Sequence, residues 1–307
     1  MTYDLLIVGG GPAGAAAAVY AARKRLKTLI LVAEWGGQSN VSEAVYNWIG
    51  TVSLSGMELA ENFKKHVLAN AGPGQTLEVK EEAVTALEKS DSGFKIKTEA
   101  GEYETKTVLV ASGSSRRKLA VPGADKFEHK GVTYCASCDG PIFADMDVAV
   151  VGGGNAGFET AAQLLAYCKS VTLLQRSDVF RADEITVEKV LKNPKMKALT
   201  NVEILEVKGD KLVEGLVYKT AQGETKVLPV SGIFVEIGQI PNTDFVKGLV
   251  ELDQYNRIKI DPATQKTSVP GIWAAGDATD VLYHQNNIAA GDAVRALEDI
   301  YLAIHTK

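Results

Sequence analysis

The sequence predicts an α/β fold that contains two copies of one β-α-β unit. Residues 3–34 (YDLLIVGGGPAGAAAAVYAARKRLKTLILVAE) resemble residues 146–177 (MDVAVVGGGNAGFETAAQLLAYCKSVTLLQRS) along their whole length. Each copy opens with an apolar, β-branched run that ends in glycine, continues through an Ala-rich stretch suited to a helix, and closes with a second apolar run. Because a strand, a helix and a strand in one sheet imply parallel strands, each copy predicts a parallel sheet.

Each copy carries the glycine pattern GxGxxG between its first strand and its helix. The glycines are Gly9, Gly11 and Gly14 in the first copy and Gly152, Gly154 and Gly157 in the second. The first glycine permits a tight turn, the second lets the backbone approach a pyrophosphate, and the third lets the helix pack closely on the strand. The pyrophosphate then rests on the N–H groups at the positive end of the helix. One such pattern is a weak signal, but two in matching context predict two Rossmann-like dinucleotide-binding domains.

The two copies differ where they would meet an adenosine ribose. In the first copy Glu34 stands at the end of the second strand, and an acid there can accept hydrogen bonds from a ribose diol. In the second copy the acid is missing, and Arg176 and Arg181 follow the strand instead. Two arginines suit a 2′-phosphate, which predicts NADPH. A solvated strand end would also carry arginines, so NADH stays possible.

Composition and charge exclude several classes of function. The chain has 307 residues and a net charge of −5, with no basic block, so no nucleic-acid partner is expected. The longest apolar runs are too short to cross a bilayer, which predicts no membrane segment. Since the N-terminus shows neither a basic region nor a cleavage site, we expect a cytoplasmic protein.

The stretch TYCASCDGP (133–141) holds Cys135 and Cys138 two residues apart, with Asp139 directly after them. A structural disulfide is disfavoured, because the chain has three cysteines and the cytoplasm keeps most thiols reduced. A metal site is disfavoured because structural zinc usually takes four ligands, and no His lies near Cys135. The remaining cysteine, Cys168, falls in the predicted helix of the second copy, where a buried small hydrophobe is expected. The pair therefore favours redox chemistry, with FAD in one dinucleotide site and a nicotinamide in the other as its source of electrons.

The motifs GGGPAG, CASCDG, GGGNAG and AAGD stand in this order along the chain. With all four in place, the sequence resembles the low-molecular-weight thioredoxin reductase family over essentially its whole length. GVTYCASCDGPIF, GIFVEIGQIPNT and GDATDVLYHQ are more similar to the flavoprotein subunit of alkyl hydroperoxide reductase. That subunit carries an N-terminal thioredoxin-fold module, whereas this sequence starts at the flavin-binding segment. We therefore expect a separate protein to receive the electrons.

The resemblance implies a particular order of domains. A discontinuous FAD-binding domain would comprise residues 1–114 and 243–307, and the nicotinamide-binding domain, which carries the cysteine pair, would be inserted at residues 115–242. The stretches VLVASG (108–113) and GIFVEIG (232–238) agree, because both predict strands that run into glycine. SSRRKLAVPG and QIPN then predict the two crossover connections, and both contain proline, as linkers often do.

Motif matching to the family implies the cofactor contacts. The implied FAD contacts are Gly9, Gly11, Pro12, Ala13, Gly14, Glu34, Gly37, Gln38, Asn47, Ala111, Gly113, Gly276, Asp277, His284 and Gln285. The implied nicotinamide contacts are Gly152, Gly154, Asn155, Ala156, Gly157, Arg176 and Arg181. His284 stands where the family usually has Arg or Lys. Asn47 and Asp277 could instead act as turn residues.

The resemblance also assigns directions within the cysteine pair. Cys138 would face the flavin, and Cys135 would attack the disulfide of the partner. Asp139 could donate a proton to the leaving sulfur, or serve only as the turn residue of its Asp-Gly pair.

The function expected from these features is an FAD-dependent disulfide reductase that passes electrons from NADPH to thioredoxin or a thioredoxin-like protein. The resemblance alone implies a homodimer. An NADH-preferring reductase of a peroxiredoxin system, with a glutaredoxin-like partner, is the second enzyme candidate. The intact GGGNAG disfavours an oxygen-linked dithiol oxidase, whereas QRS in place of the family's HRR keeps a ferredoxin-linked enzyme possible. A flavin-binding redox sensor without enzyme activity is disfavoured by the retained Cys135, Cys138 and Asp139.

Overall fold

A computed structural model describes residues 2–42 and 44–306 of the chain. The chain divides into two compact units: unit 1 comprises Met1–Ser115 and Ile240–Lys307, and unit 2 comprises Arg116–Gln239. The two changes of unit therefore follow residues 115 and 239, against expected boundaries after residues 114 and 242.

The elements are as follows. The strands are β1 (Thr2–Gly10), β2 (Thr28–Trp35), β3 (Leu77–Lys80), β4 (Val84–Ser90), β5 (Gly93–Thr98), β6 (Glu102–Val110), β7 (Ser114–Arg116), β8 (Val132–Thr133), β9 (Asp147–Val151), β10 (Ser170–Leu174), β11 (Met196–Leu199), β12 (Glu203–Gly209), β13 (Val213–Lys219), β14 (Thr225–Pro229), β15 (Gly232–Val235), β16 (Gln239–Pro241) and β17 (Ile272–Ala274). The helices are α1 (Pro12–Arg23), α2 (Gly56–Leu68), α3 (Ala136–Asp139), α4 (Asn155–Leu164), α5 (Glu184–Leu191) and α6 (Asn286–His305). Short 3₁₀ turns cover Gly37–Val41, Gly140–Phe143, Asp244–Val246 and Gly276–Ala278.

Unit 1 is built on a seven-stranded sheet in the order β3-β2-β1-β6-β5-β4, with β17 also paired to β6. β1 runs parallel to β2 and β6, so that Ile7 lies opposite both Ile30 and Leu109. The β5 and β4 strands are antiparallel and extend one edge. The first β-α-β copy therefore forms a parallel sheet, as predicted.

In the unit 1 sheet, β1 is buried on both faces. Leu5 and Ile7 of β1 pack into one apolar cluster, together with alanines of α1 and α6, and Leu6 and Val8 pack into a second cluster on the opposite face. A strand buried on both faces needs a continuous apolar run, which explains the sequence LLIV in place of an alternating pattern. The small alanine side chains let α1 and α6 lie close together.

Unit 2 repeats this arrangement in a five-stranded sheet of order β11-β10-β9-β15-β8. All four of its strand pairs are parallel, and Val151 at the end of β9 lies opposite Leu174 of β10 and Val235 of β15. A separate antiparallel sheet, β12-β13-β14, completes the unit. The predicted α/β fold with two Rossmann-like units is thus confirmed.

One local expectation was wrong. Cys168 does not lie in a helix, because α4 ends at Leu164 and Cys168 follows in a bend. Asp277 lies in the 3₁₀ turn Gly276–Ala278, after β17 stops at Ala274. Gly276 has φ +72°, a left-handed conformation that bends the backbone out of the strand direction.

In both units, the third glycine of the pattern packs closely against the first. A Cβ on Gly14 would lie under 3.0 Å from the carbonyl oxygen of Gly9, and a Cβ on Gly157 would lie equally close to that of Gly152. The helix can therefore approach the strand only if these positions lack a side chain. By contrast, a Cβ on Gly11 or Gly154 would meet no atom within 4 Å.

We expect Gly157→Ala to lower the free energy of unfolding by about 2 kcal/mol, as overpacking of a close contact typically does. Gly154→Ala is the matched control: its added methyl group meets open space, so the expected cost is below about 1 kcal/mol. Urea unfolding followed by circular dichroism measures both. Equal unfolding midpoints for the two variants would show that the contact does not constrain the fold.

Candidate functional site

A disulfide joins Cys135 and Cys138, whose Cα atoms lie 5.3 Å apart. Cys135 is the N-cap residue of the single turn α3, and its Sγ accepts a hydrogen bond of 3.2 Å from the backbone N–H of Cys138. Both cysteines are half-buried. A donor aimed at Sγ stabilises negative charge on that sulfur, so this arrangement favours a thiolate on Cys135 once the bond is reduced.

The Thr133 hydroxyl makes hydrogen bonds to two residues of the disulfide motif. It donates a hydrogen bond to Oδ2 of Asp139, and it accepts one of 3.4 Å from the backbone N–H of Cys135. Thr133 ends β8, which is paired with β15, and its side chain is buried. Thr133 was not among the site residues predicted from the sequence. A hydroxyl residue two positions before the first cysteine was the available signal.

In unit 1, the N-terminus of α1 and the glycine loop before it (residues 9–14) border an open space, the cradle. The N-cap residue Gly11 makes no side-chain capping bond, and Pro12 follows at the first helical position. Glu34 lies exposed near the end of β2, and its Oε1 accepts a hydrogen bond of 2.7 Å from Asn40. The open space at Gly11 and the free N–H groups of the helix fit a pyrophosphate, and the carboxylate fits a ribose.

A polar network joins the N-terminus of α6 to the loop that contains Asn47. Nδ2 of Asn47 donates to Gln285 at 3.2 Å, and Nδ2 of Asn287 donates to the carbonyl of Asn47 at 2.7 Å. Nδ1 of His284 lies 3.3 Å from Oδ1 of Asp277, and both side chains are largely buried. The structure therefore brings together four of the expected flavin-side residues, and adds Asn287, which the motif match did not include.

Four other expected cofactor contacts of unit 1 lie in the segments that follow β2 and β6. Gly37 and Gln38 start the 3₁₀ turn after β2, while Ala111 and Gly113 follow β6. A Cβ on Gly9 would collide with the carbonyl oxygen of Ala111, so β6 lies directly against the glycine loop.

In unit 2, the loop after β9 forms the equivalent cradle at the N-terminus of α4. Gly154 is the N-cap residue and makes no side-chain capping bond. Asn155 and Ala156 are exposed at the start of the helix, and Oδ1 of Asn155 accepts a hydrogen bond of 2.8 Å from the backbone N–H of Asp183. These features fit a second pyrophosphate.

Gln175 organises the segment that carries the two arginines. Its Oε1 accepts a hydrogen bond of 3.1 Å from Gly153, while its Nε2 donates to Ser177 and to the carbonyl of Val179. The backbone N–H of Arg181 donates to the carbonyl of Gly153 at 2.8 Å, which fixes the segment beside the glycine loop. Arg176 and Arg181 are both exposed, and among the described residues no carboxylate pairs with either guanidinium.

The remaining thiol is isolated from solvent. Cys168 is fully buried in an apolar cluster, and burial raises its pKa to about 11. Within the described parts of the chain, no group of three or more His, Cys, Asp or Glu could hold a metal ion.

Over the same residues, no helix is both long enough and apolar enough to span a membrane.

Two cradles that fit dinucleotides and one disulfide define a class of protein: an oxidoreductase that transfers electrons between nucleotide cofactors and a disulfide. Residues 3–296 match the pyridine nucleotide-disulphide oxidoreductase family, and the chain belongs to that family. This match, together with the relatives below, confirms the expected enzyme class and FAD and NAD(P)H as the cofactors.

Relatives of known sequence and structure agree. The chain is 40% identical, over 96% of its length, to the F subunit of the alkyl hydroperoxide reductase of Pseudomonas aeruginosa, and 38% identical over the same share to an NADH dehydrogenase of Bacillus subtilis. It spans only 57% of the length of either protein. The structure of thioredoxin reductase from Streptococcus pyogenes is similar with a TM-score of 0.89 and 33% identity, covering 100% of this chain and 99% of that one. The expected resemblance is thereby confirmed.

The burial of Cys168 makes a prediction about thiol chemistry. In the native protein with the disulfide reduced, iodoacetamide at pH 8 should modify Cys135 and leave Cys168 untouched. A thiol with a pKa of about 11 is about 0.1% thiolate at pH 8, and only the thiolate reacts. Mass spectrometry of the digested protein gives the modified sites.

Unfolding in urea is the control for that experiment, because it should make Cys168 as reactive as an ordinary thiol. Modification of Cys168 in the native protein at the rate of Cys135 would contradict its burial.

Proposed function

We propose that this protein is an FAD-dependent disulfide reductase that passes electrons from NADPH, through the Cys135–Cys138 disulfide, to thioredoxin or a thioredoxin-like protein. The observation that carries the proposal is the order of groups along one edge of the unit 2 sheet. The adjacent parallel strands β10, β9, β15 and β8 end, in that order, at the arginine segment, the glycine loop, Glu236 and the disulfide motif. Ligands of open α/β sheets bind at the carboxyl ends of their strands.

FAD belongs to unit 1 in this proposal, which keeps the expected discontinuous domain. The N–H groups at the start of α1, with Gly9, Gly11, Pro12, Ala13 and Gly14, would hold its pyrophosphate. Glu34 would accept hydrogen bonds from the ribose. Gly37, Gln38, Asn47, Ala111, Gly113, Gly276, Asp277, His284 and Gln285 would surround the rest of the cofactor. His284, which stands where the family usually has Arg or Lys, would lie beside Asp277, whose Oδ1 is 3.3 Å from its Nδ1.

The nicotinamide dinucleotide belongs to unit 2. The N–H groups at the start of α4, with Gly152, Gly154, Asn155, Ala156 and Gly157, would hold its pyrophosphate. Arg176 and Arg181 would bind the 2′-phosphate of NADPH, since both guanidinium groups are exposed beside the glycine loop.

When bound, the two cofactors supply hydride transfer and the electron pair that reduces a disulfide. The residues of the chain then handle sulfur and protons. Cys138 is proposed as the sulfur that faces the flavin. Asp139, held by Thr133, is proposed to protonate the leaving sulfur when the bond opens.

The reduced pair is proposed to exchange with the partner by two successive steps. The Cys135 thiolate, stabilised by the N–H of Cys138, attacks the partner disulfide and releases one partner thiol. Cys138 then attacks the mixed disulfide, which restores the Cys135–Cys138 bond and releases the second partner thiol. The partner gains two electrons from the pair and two protons: Cys138 releases one proton as it attacks, and solvent supplies the other, which replaces the proton lost when the Cys135 thiolate formed.

A second candidate is an NADH-preferring reductase of a peroxiredoxin system. It is favoured by the similarity to one component of an alkyl hydroperoxide reductase and to a protein named NADH dehydrogenase. The exposed arginine pair supports NADPH over this candidate. We further propose that the enzyme acts as a homodimer in the cytoplasm, following the family resemblance.

The cysteine pair provides the test of the proposed function. Cys135→Ser and Cys138→Ser should each lower thioredoxin-dependent NADPH oxidation at least about a hundredfold, because the two sulfurs act as one unit. The measurement is NADPH consumption by the FAD-loaded protein with thioredoxin as acceptor. Cys168→Ala, which removes a cysteine outside the pair, should stay within about twofold of the wild type. Sustained thioredoxin reduction by Cys135→Ser would refute the proposal.

The arginine pair provides a test of the donor. Arg176→Ala and Arg181→Ala should each raise the KM for NADPH about tenfold, the value of one charge-assisted hydrogen bond, and leave the KM for NADH within about twofold. Lys169→Ala is a matched control, because it removes a positive charge just before the opposite end of β10, where Lys169 pairs with Asp147. Equal effects on the two donors would favour the NADH-linked candidate.

A further inference from the structure

The internal repeat identifies one residue whose chemistry differs between the units. In unit 1, Val8 lies opposite Val110, and the next residues along the two strands are Gly9 and Ala111. In unit 2, Val151 lies opposite Val235, and the next residues are Gly152 and Glu236. A Cβ on Gly9 would collide with the carbonyl oxygen of Ala111, and a Cβ on Gly152 with that of Glu236. Glu236 in unit 2 is therefore the structural equivalent of Ala111 in unit 1.

The Glu236 carboxyl group is held from one side only. Thr160, buried on α4, donates a hydrogen bond of 2.8 Å to its Oε1. Among the described residues, none donates to Oε2. One carboxylate oxygen is thus fixed in place by the helix that carries the pyrophosphate cradle, and the other remains available to accept a hydrogen bond.

The sheet order places Glu236 on one side of the glycine loop. β9 lies between β10, which leads to Arg176 and Arg181, and β15, which leads to Glu236. A dinucleotide whose pyrophosphate rests on α4 and whose adenosine half extends toward the arginines must extend its other half toward β15. That half carries the nicotinamide ring and its carboxamide.

We propose that Glu236 is a positioning residue for the nicotinamide: its Oε2 accepts a hydrogen bond from the carboxamide N–H while Thr160 holds its Oε1. The negative charge of the carboxylate also favours the positively charged ring of the oxidised dinucleotide. This inference rests on the proposed function, because it requires unit 2 to bind a nicotinamide dinucleotide.

The charges around Glu236 give the interaction a pH dependence. Burial raises the pKa of Glu236 to about 6, Arg116 and the Thr160 hydrogen bond oppose this rise, and Glu159 adds to it. The carboxylate is therefore present above about pH 6 and is lost below it. Affinity for the oxidised dinucleotide should fall as the pH drops from 8 to 5.

The test measures binding, which is independent of turnover. Calorimetry on the FAD-loaded protein compares three ligands: the oxidised dinucleotide that the wild type prefers (NADP⁺ or NAD⁺), its 3-acetylpyridine analogue, and the adenosine half alone (2′,5′-ADP or ADP). The analogue has a methyl ketone in place of the carboxamide and cannot donate. The wild type should bind the dinucleotide about tenfold more tightly than the analogue, as expected for a hydrogen bond to a charged group.

Two variants separate the hydrogen bond from the charge. Glu236→Ala should abolish both the preference for the carboxamide and the pH dependence. Glu236→Gln, which keeps an acceptor oxygen without the charge, should retain the preference and lose the pH dependence. Binding of the adenosine half should not change in either variant, which controls for folding. If Glu236→Ala, but not Glu236→Gln, loses binding of the adenosine half, the Ala variant is misfolded. The pH dependence of dinucleotide binding by Glu236→Gln then shows whether the carboxylate has the proposed role.

Two further outcomes would overturn the inference in distinguishable ways. If the wild type binds the dinucleotide and both variants keep the carboxamide preference and the pH dependence, Glu236 has no such role and the proposed function stands. If the wild type binds none of the three ligands, the proposed function fails and the role of Glu236 fails with it.

Discussion

The contact between a helical glycine and the carbonyl oxygen at the end of the preceding strand determines the geometry of both units. Gly14 on Gly9, and Gly157 on Gly152, leave no room for a Cβ, so helix and strand meet at a fixed distance. This contact directs the first N–H groups of α1 and α4 toward the carboxyl edge of their sheets. It also leaves open space at Gly11 and Gly154, where a pyrophosphate can approach the backbone.

In unit 2, the candidate functional groups lie at the ends of four neighbouring strands, next to that glycine contact. Because β10, β9, β15 and β8 are parallel, their carboxyl ends lie on one edge. Groups far apart in sequence thereby become neighbours: the arginine segment, the glycine loop, Glu236 and the disulfide motif. Each strand contributes a different chemical property, namely positive charge, backbone N–H groups, a titratable carboxyl and a reducible bond.

The sequence alone was sufficient for the fold class and for the two parallel β-α-β units, because the repeat, its glycines and its apolar strands are local signals with strict steric causes. The cysteine pair was equally readable, since its two members are three positions apart. Thr133 and Gln175 were not selected, because their hydrogen-bond partners depend on how a loop folds back. Thr160 and Glu236 are 76 positions apart, and only the pairing of β9 with β15 brings them together. Cys168 was misplaced because no strong stop signal marks the end of α4 at Leu164.

In the proposed enzyme, electrons from a nicotinamide reach the Cys135–Cys138 bond. The most direct measurement is anaerobic titration of the FAD-loaded protein with NADPH, followed by rapid acid quenching and counting of alkylated thiols by mass spectrometry. We expect Cys135 and Cys138 both to become alkylated as NADPH is consumed, while the flavin absorbance decreases. A flavin that is reduced by NADPH while the disulfide stays intact would contradict that expectation.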